Sequence, residues 1–125
     1  MKEQHGILVV DDESSVRQSL QRWFEQDGFR VGTAANATEA LKSLSEATWD
    51  IVLLDIRMPG MGGLDLLSRI RDIDSDIIVI MITGYAAVDS AVEALKRGAF
   101  DYVAKPFDPE ELSHLVGRAL QQPKT

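Results

Sequence analysis

Two stretches, IVLL at 51–54 and IIVIMI at 77–82, are apolar at every position. A strand with one wet face alternates apolar and polar residues. An unbroken Ile/Val-rich run instead suits a strand covered on both faces, as in a parallel sheet. Such a sheet needs helices above and below it, and the rest of the chain supplies the pattern. Three further apolar runs occur, at 7–10, 29–34 and 102–104. Between the runs lie helical stripes. Val16, Leu20, Trp23 and Phe24 form the first, and Ala37, Ala40, Leu41 and Leu44 the second. Leu64, Leu67 and Ile70 mark a less regular third. Val88, Ala91, Val92 and Leu95 form the fourth, and Leu112, Leu115, Val116, Ala119 and Leu120 the fifth. Strand–helix alternation repeated in this way predicts an α/β fold: an open, doubly wound, five-stranded parallel sheet with helices on both faces.

The punctuation agrees. Asp108-Pro109-Glu110-Glu111 offers a cap followed by a proline at the first helical position. Asn36 with Glu39 reads as a capping box, and Asp11-Asp12-Glu13-Ser14 as a cap for the first helix. Gly28 and Gly98 sit where a left-handed residue ends a helix, and Lys96 and Arg97 suit the negative end of the helix before Gly98. Residues 1–121 read as one domain, and 122–125 as a tail or the start of a linker.

Composition narrows the function. There are no cysteines, so disulfides and thiolate metal sites are excluded and a reducing compartment is expected. No run approaches the roughly 20 apolar residues of a membrane span, and the N-terminus lacks a signal-peptide segment. A soluble cytoplasmic domain with no membrane partner is the expectation. The net charge of −7 argues against direct nucleic-acid binding by this segment and suits a site that collects a small cation.

In open parallel sheets the site lies beyond the carboxyl ends of the strands. Asp11, Asp12 and Glu13 follow the first run, Asp55 the third, Thr83 and Gly84 the fourth, and Lys105 and Pro106 the fifth. Clustered carboxylates force a proton onto one of their number unless a cation compensates. Oxygen ligands with no His or Cys nearby in sequence favour Mg2+, or Mn2+ in its place. A hydroxyl at Thr83 and an ammonium at Lys105 then suit a phosphoryl group. The set reads as a phosphoryl-transfer site with Asp55 as nucleophile.

Four motifs stand in register with these strand ends: VVDDE at 9–13, LLDIRMPGMGG at 53–63, ITGYA at 82–86 and GAFDYVAKPF at 98–107. Together they resemble the receiver domains of bacterial two-component response regulators, over essentially the whole chain. The stretch from Thr83 to Phe107 resembles more narrowly the NtrC-like receivers of sigma-54-dependent activators. The resemblance implies a flavodoxin-like sheet of strand order 2-1-3-4-5. It implies that Asp55 accepts a phosphoryl group from a sensor histidine kinase. Asp11, Asp12, Asp55 and the Arg57 backbone carbonyl would hold Mg2+. Thr83 and Lys105 would contact the phosphoryl group, Tyr102 would be the switch aromatic, and Lys105–Pro106 a cis peptide. Arg57 and Tyr85 would tune the phosphoryl lifetime. It further implies an AAA+ and DNA-binding output domain in a longer chain, and a homodimer through the 86–120 face. The readout surface is expected on the helix 86–97, the strand 102–104 and the helix 110–120.

Each residue also has a plainer reading. Asp55 before Pro59 could be a turn acid, Thr83 a turn residue, Lys105 a surface lysine and Tyr102 packing. Gly60, Gly62 and Gly63 serve backbone geometry. Trp23 and Trp49 read as packing anchors, His5 and His114 as surface residues without a partner cluster, and Asp65 and Asp101 as solvated or capping acids. Three rival functions fit less well. A flavodoxin-like cofactor binder needs a hydroxyl- and glycine-rich phosphate loop after the first strand, or Gly-x-Gly-x-x-Gly for a dinucleotide, where this chain has DDESS. A haloacid-dehalogenase-like phosphatase needs an acid two residues after the nucleophile, where Arg57 stands. A pseudo-receiver, acting as a phosphorylation-independent interaction module, would be expected to have lost Asp55, Lys105 or one of the first acid pair. The reading is therefore a phosphoacceptor switch, not a turnover enzyme, that assists its own phosphorylation and dephosphorylation.

Overall fold

A computed structural model describes residues 4–84 and 88–121. Five strands alternate with five helices: β1 Gly6–Val10, α1 Ser14–Gln26, β2 Arg30–Ala34, α2 Ala37–Glu46, β3 Ile51–Asp55, α3 Gly63–Ile73, β4 Ile78–Thr83, α4 Val88–Lys96, β5 Asp101–Ala104 and α5 Pro109–Leu120. The strands pair in parallel in the order β2-β1-β3-β4-β5. This is the doubly wound sheet that the apolar runs required, and its order reverses direction after β1.

The sheet separates two apolar layers, because successive strand residues point to opposite faces. Leu8, Val10, Val52, Leu54, Val79 and Met81 pack with α2, α3 and Ala94 of α4. Ile7, Val9, Ile51, Leu53, Ile80 and Ile82 pack with Leu20 and Phe24 of α1 and with Leu112, Leu115, Val116 and Ala119 of α5. The three central strands are therefore buried on both faces, which is why their sequences do not alternate. Burial of each such side chain is worth about 1.5–3 kcal/mol. The tryptophans act as packing anchors at the margins. Trp23 donates to Ser113 Oγ and joins α1 to α5, while Trp49 donates to Ser43 O and lies under the Arg30 guanidinium at 4.4 Å.

Several local expectations need correction. The fourth helix, expected over 86–97, is described over Val88–Lys96 and ends one residue earlier than expected; positions 85–87, and with them Tyr85, lie outside the described residues, as does the 122–125 tail. No side chain of the Asp11–Ser14 segment caps α1: its N-cap is Glu13, without a side-chain bond. Asp11 Oδ1 accepts from Glu13 N instead, which ties the loop to the end of β1. His5 has a partner, Asp50, at 3.6 Å. The other caps form: Asn36 Oδ1 accepts from Glu39 N and Asp108 Oδ1 from Glu110 N. Gly28 and Gly98 have φ of 91° and 102°.

Gly63 is required for a different reason. A Cβ there would lie 2.1 Å from the Asp55 carbonyl oxygen and 2.7 Å from Ile56 Cα, both main-chain atoms. Its own N–H donates to Ile56 O at 2.9 Å, so α3 starts hard against the end of β3. Gly63→Ala is expected to cost on the order of 2–4 kcal/mol in urea unfolding. Gly117→Ala, where a Cβ meets nothing within 4 Å in α5, is expected to gain about 0.5–1 kcal/mol. Equal effects at the two positions would contradict the close approach.

Candidate functional site

The parallel register brings the ends of β1, β3, β4 and β5 to one edge. Val10 pairs with Leu54, Asp55 with Ile82, and Thr83 with Ala104. Main-chain bonds continue past the strands. Asp11 N donates to Ala34 O at 3.1 Å, Ile56 N to Ile82 O at 3.0 Å, and Lys105 N to Thr83 O at 2.7 Å. Asp11, Asp55, Thr83 and Lys105 are thus placed by the sheet itself. The Lys105–Pro106 peptide is cis.

The three aspartates expected as ligands come together. Carboxylate oxygens of Asp11, Asp12 and Asp55 lie within 4.8 Å of one another, with Asp11 and Asp55 buried and Asp12 exposed. Asp55 Oδ1 accepts from Arg57 N at 3.2 Å. Lys105 Nζ sits between the carboxylates, 2.9 Å from Asp11 Oδ2, 3.0 Å from Glu13 Oε1 and 3.6 Å from Asp55 Oδ2. Only the Glu13 contact among these is aligned as a hydrogen bond; Asp11 Oδ2 is fully buried and has no aligned donor. Three clustered carboxylates, two of them buried and facing a single ammonium, fit an oxygen-coordinated divalent cation. These residues could hold one.

The electrostatics have the same origin. Burial, and after it the Asp11 charge, push the Asp55 carboxyl up to about 6 against the opposing Arg57 N–H and Lys105. Burial acts to lower the Lys105 ammonium, but the Asp11 and Glu13 carboxylates outweigh it and hold the group above its ordinary value. Thr83 is buried beside this cluster at 3 % exposure. Tyr102 lies 43 % exposed one strand away, opposite Met81 in register, and Arg57 is exposed.

The sequence reading missed two contacts. Glu13 was one more acid after β1, and nothing in its spacing from Lys105, 92 residues on, marks the pair. Arg97 was expected only to complement its helix end. It also donates to Leu64 O at 3.2 Å and lies 3.4 Å from Asp65, tying α4 to α3. The exposed partners Glu93 and Asp65 raise its already high basicity, with the Glu93 hydrogen bond foremost.

The model of the response regulator receiver domain matches residues 7–117. The chain belongs to that family. It is 49 % identical over 115 residues to the regulatory protein AtoC of Escherichia coli, covering 92 % of this chain and 25 % of that protein. It is 44 % identical to the DNA-binding transcriptional regulator NtrC of the same organism, covering 97 % of this chain and 27 % of NtrC. The chain therefore spans about a quarter of the length of these curated relatives. Among solved structures, a CheY-like receiver domain protein from Methanospirillum hungatei superposes with a TM-score of 0.91 at 32 % identity, covering 94 % of both chains. The receiver domain of NtrX from Brucella abortus superposes with a TM-score of 0.89 at 35 % identity, covering 94 % of this chain and 99 % of that one. No helix among the described residues of this receiver domain is long and apolar enough to cross a membrane.

A raised folded-state pKa means that the folded protein binds the Asp55 proton more tightly than the unfolded chain does. Stability from this group is complete below the ordinary value of 3.8 and is lost as pH rises through about 6. In EDTA at pH 7.5, Asp55→Asn should therefore be more stable than wild type by on the order of 2 kcal/mol. The gain should shrink as pH falls toward 4. Urea titrations across this range check it; a gain independent of pH would place its cause elsewhere.

Proposed function

We propose that this receiver is a phosphorylation-activated switch whose acceptor is Asp55. The convergence of the Asp11, Asp12 and Asp55 carboxylates with Thr83 and Lys105 at one sheet edge is the observation that supports this most directly. An Asp55 carboxylate oxygen attacks phosphorus in the phosphohistidine of a sensor histidine kinase. The P–O bond forms as the P–N bond breaks, and the imidazole, already protonated on its other ring nitrogen, leaves as the neutral base. Mg2+, or Mn2+ in its place, held by Asp11, Asp12, Asp55 and the Arg57 carbonyl, supplies charge neutralisation when bound. Lys105 neutralises one phosphoryl oxygen and the Thr83 hydroxyl donates to another. The receiver also assists hydrolysis of its own aspartyl phosphate, with Arg57 and Tyr85 tuning the rate.

The phosphoryl group adds charge and acceptor oxygens where Thr83 and Lys105 end their strands. Drawing these two inward shifts the face made by α4, β5 and α5, with Tyr102 turning in as Thr83 moves. Among the described residues, Val92, Leu95 and Tyr102 are the large apolar side chains exposed there, at 44 %, 43 % and 43 %. This face forms a homodimer in the phosphorylated state and controls an AAA+ and DNA-binding output domain in a longer cytoplasmic chain. The names of AtoC and NtrC, a regulatory protein and a DNA-binding transcriptional regulator, support transcription as the output.

With acetyl phosphate and Mg2+, intact-mass measurement should detect a single phosphoryl adduct, absent in EDTA and absent from Asp55→Asn. An equivalent adduct on Asp55→Asn would overturn the assignment. Sedimentation with a phosphate mimic should raise the mass toward that of a dimer, and an unchanged mass would count against the dimer.

A further inference from the structure

The Glu13 carboxylate has no part in the phosphoryl chemistry above, yet it makes the one aligned hydrogen bond to the lysine on which that chemistry depends. Its side chain is 58 % exposed, whereas that of Lys105 is 14 % exposed and that of Asp11 fully buried. Glu13 is the N-cap of α1 but makes no side-chain capping bond, so its carboxylate is not engaged in holding the helix. The loop that carries it is fixed from beneath: Glu13 N donates to Asp11 Oδ1 at 2.9 Å, Arg17 N to Glu13 O at 3.2 Å, and Arg17 Nη1 to Asp11 O at 2.8 Å.

Lys105 therefore stands between two kinds of acid. On the buried side is Asp11 Oδ2 at 2.9 Å, without hydrogen-bond alignment, with Asp55 Oδ2 beyond it at 3.6 Å. On the solvent side is Glu13 Oε1 at 3.0 Å, aligned. The buried oxygens are the ones a divalent cation would use. An ammonium and a divalent cation repel strongly at such separations in a poorly solvated site. Occupancy by the cation thus requires Lys105 to back away from Asp11, and Glu13 offers the acceptor on that side.

We propose that Glu13 is a positioning residue that competes with the Asp11–Asp55 pair for Lys105 and so sets how readily a divalent cation enters. Without the Glu13 charge, the ammonium settles more fully onto the two buried carboxylates and competes with the cation. The proposal rests on the reading of the aspartate cluster as a cation site. The effect of Glu13 runs through Lys105, which separates it from the general field of one more acid. Being exposed, the Glu13 carboxylate is screened, and its direct influence on the cation is small.

Calorimetric titration with Mg2+ on the full chain tests this. Glu13→Gln should raise the Mg2+ Kd about fivefold while leaving the unfolding midpoint in EDTA essentially unchanged. Lys105→Met should tighten Mg2+ binding, and in that background Glu13→Gln should change the Kd by less than twofold; Lys105→Gln serves in its place should Lys105→Met not fold. Glu13→Asp, which keeps the charge one methylene short, should fall between wild type and Glu13→Gln. Equal effects of Glu13→Gln with and without Lys105 would overturn the proposal, as would no effect in the wild-type background. Failure of the wild-type chain to bind Mg2+ would overturn the cation site itself and this proposal with it.

Discussion

Burying two aspartates side by side at the end of a parallel sheet is the constraint on which the rest of the structure depends. Asp11 and Asp55 are 0 % and 4 % exposed, and neither can leave, because each continues a central strand. Lys105 supplies the nearest opposite charge, 2.9 Å from one and 3.6 Å from the other. One ammonium does not neutralise two carboxylates, and the raised proton affinity of Asp55 reflects its burial first and the Asp11 charge second. A folded protein keeps such a deficit only where the surrounding core can offset it. Here two apolar layers, one on each face of the sheet, hold the strand ends in register.

The architecture explains why the deficit sits where it does. In a doubly wound parallel sheet every strand points its carboxyl end the same way, so the residues that leave β1, β3, β4 and β5 gather whether or not their charges agree. The main-chain bonds between Lys105 and Thr83, and between Ile56 and Ile82, extend the ladder one residue beyond the strands. The site's acids, hydroxyl and ammonium thus inherit their spacing from strand pairing and not from the flexibility of loops.

This is also why the fold and most of the site were legible in the sequence. IVLL and IIVIMI reported burial on both faces, and that implied parallel strands with helices on either side. Once the strand ends were known, the residues following them had to meet. What stayed hidden depended on side-chain reach. Glu13 and Ser14 looked like cap residues because acids and serines before a helix usually are, but the chain turns so that Asp11 accepts from the Glu13 N–H. The Glu13 carboxylate finds Lys105 across the sheet edge, and no spacing rule connects residues so far apart in sequence. Arg97 is similar: its place at a helix end was readable, but its bond to Leu64 O depends on how α4 lies on α3.

The contact of Gly63 with the end of β3 has a mechanical consequence. With α3 pressed against the Asp55 carbonyl, the main chain of Asp55 has no room to retreat on that side. Asp55 stands on a fixed floor, whereas Thr83 and Lys105 belong to the opposite wall, on strands nearer the sheet's edge. Any strain introduced above the carboxylate is therefore relieved in one direction, toward β4 and β5. The smallness of Gly63 is what closes that side, since any larger residue would force α3 away from the end of β3.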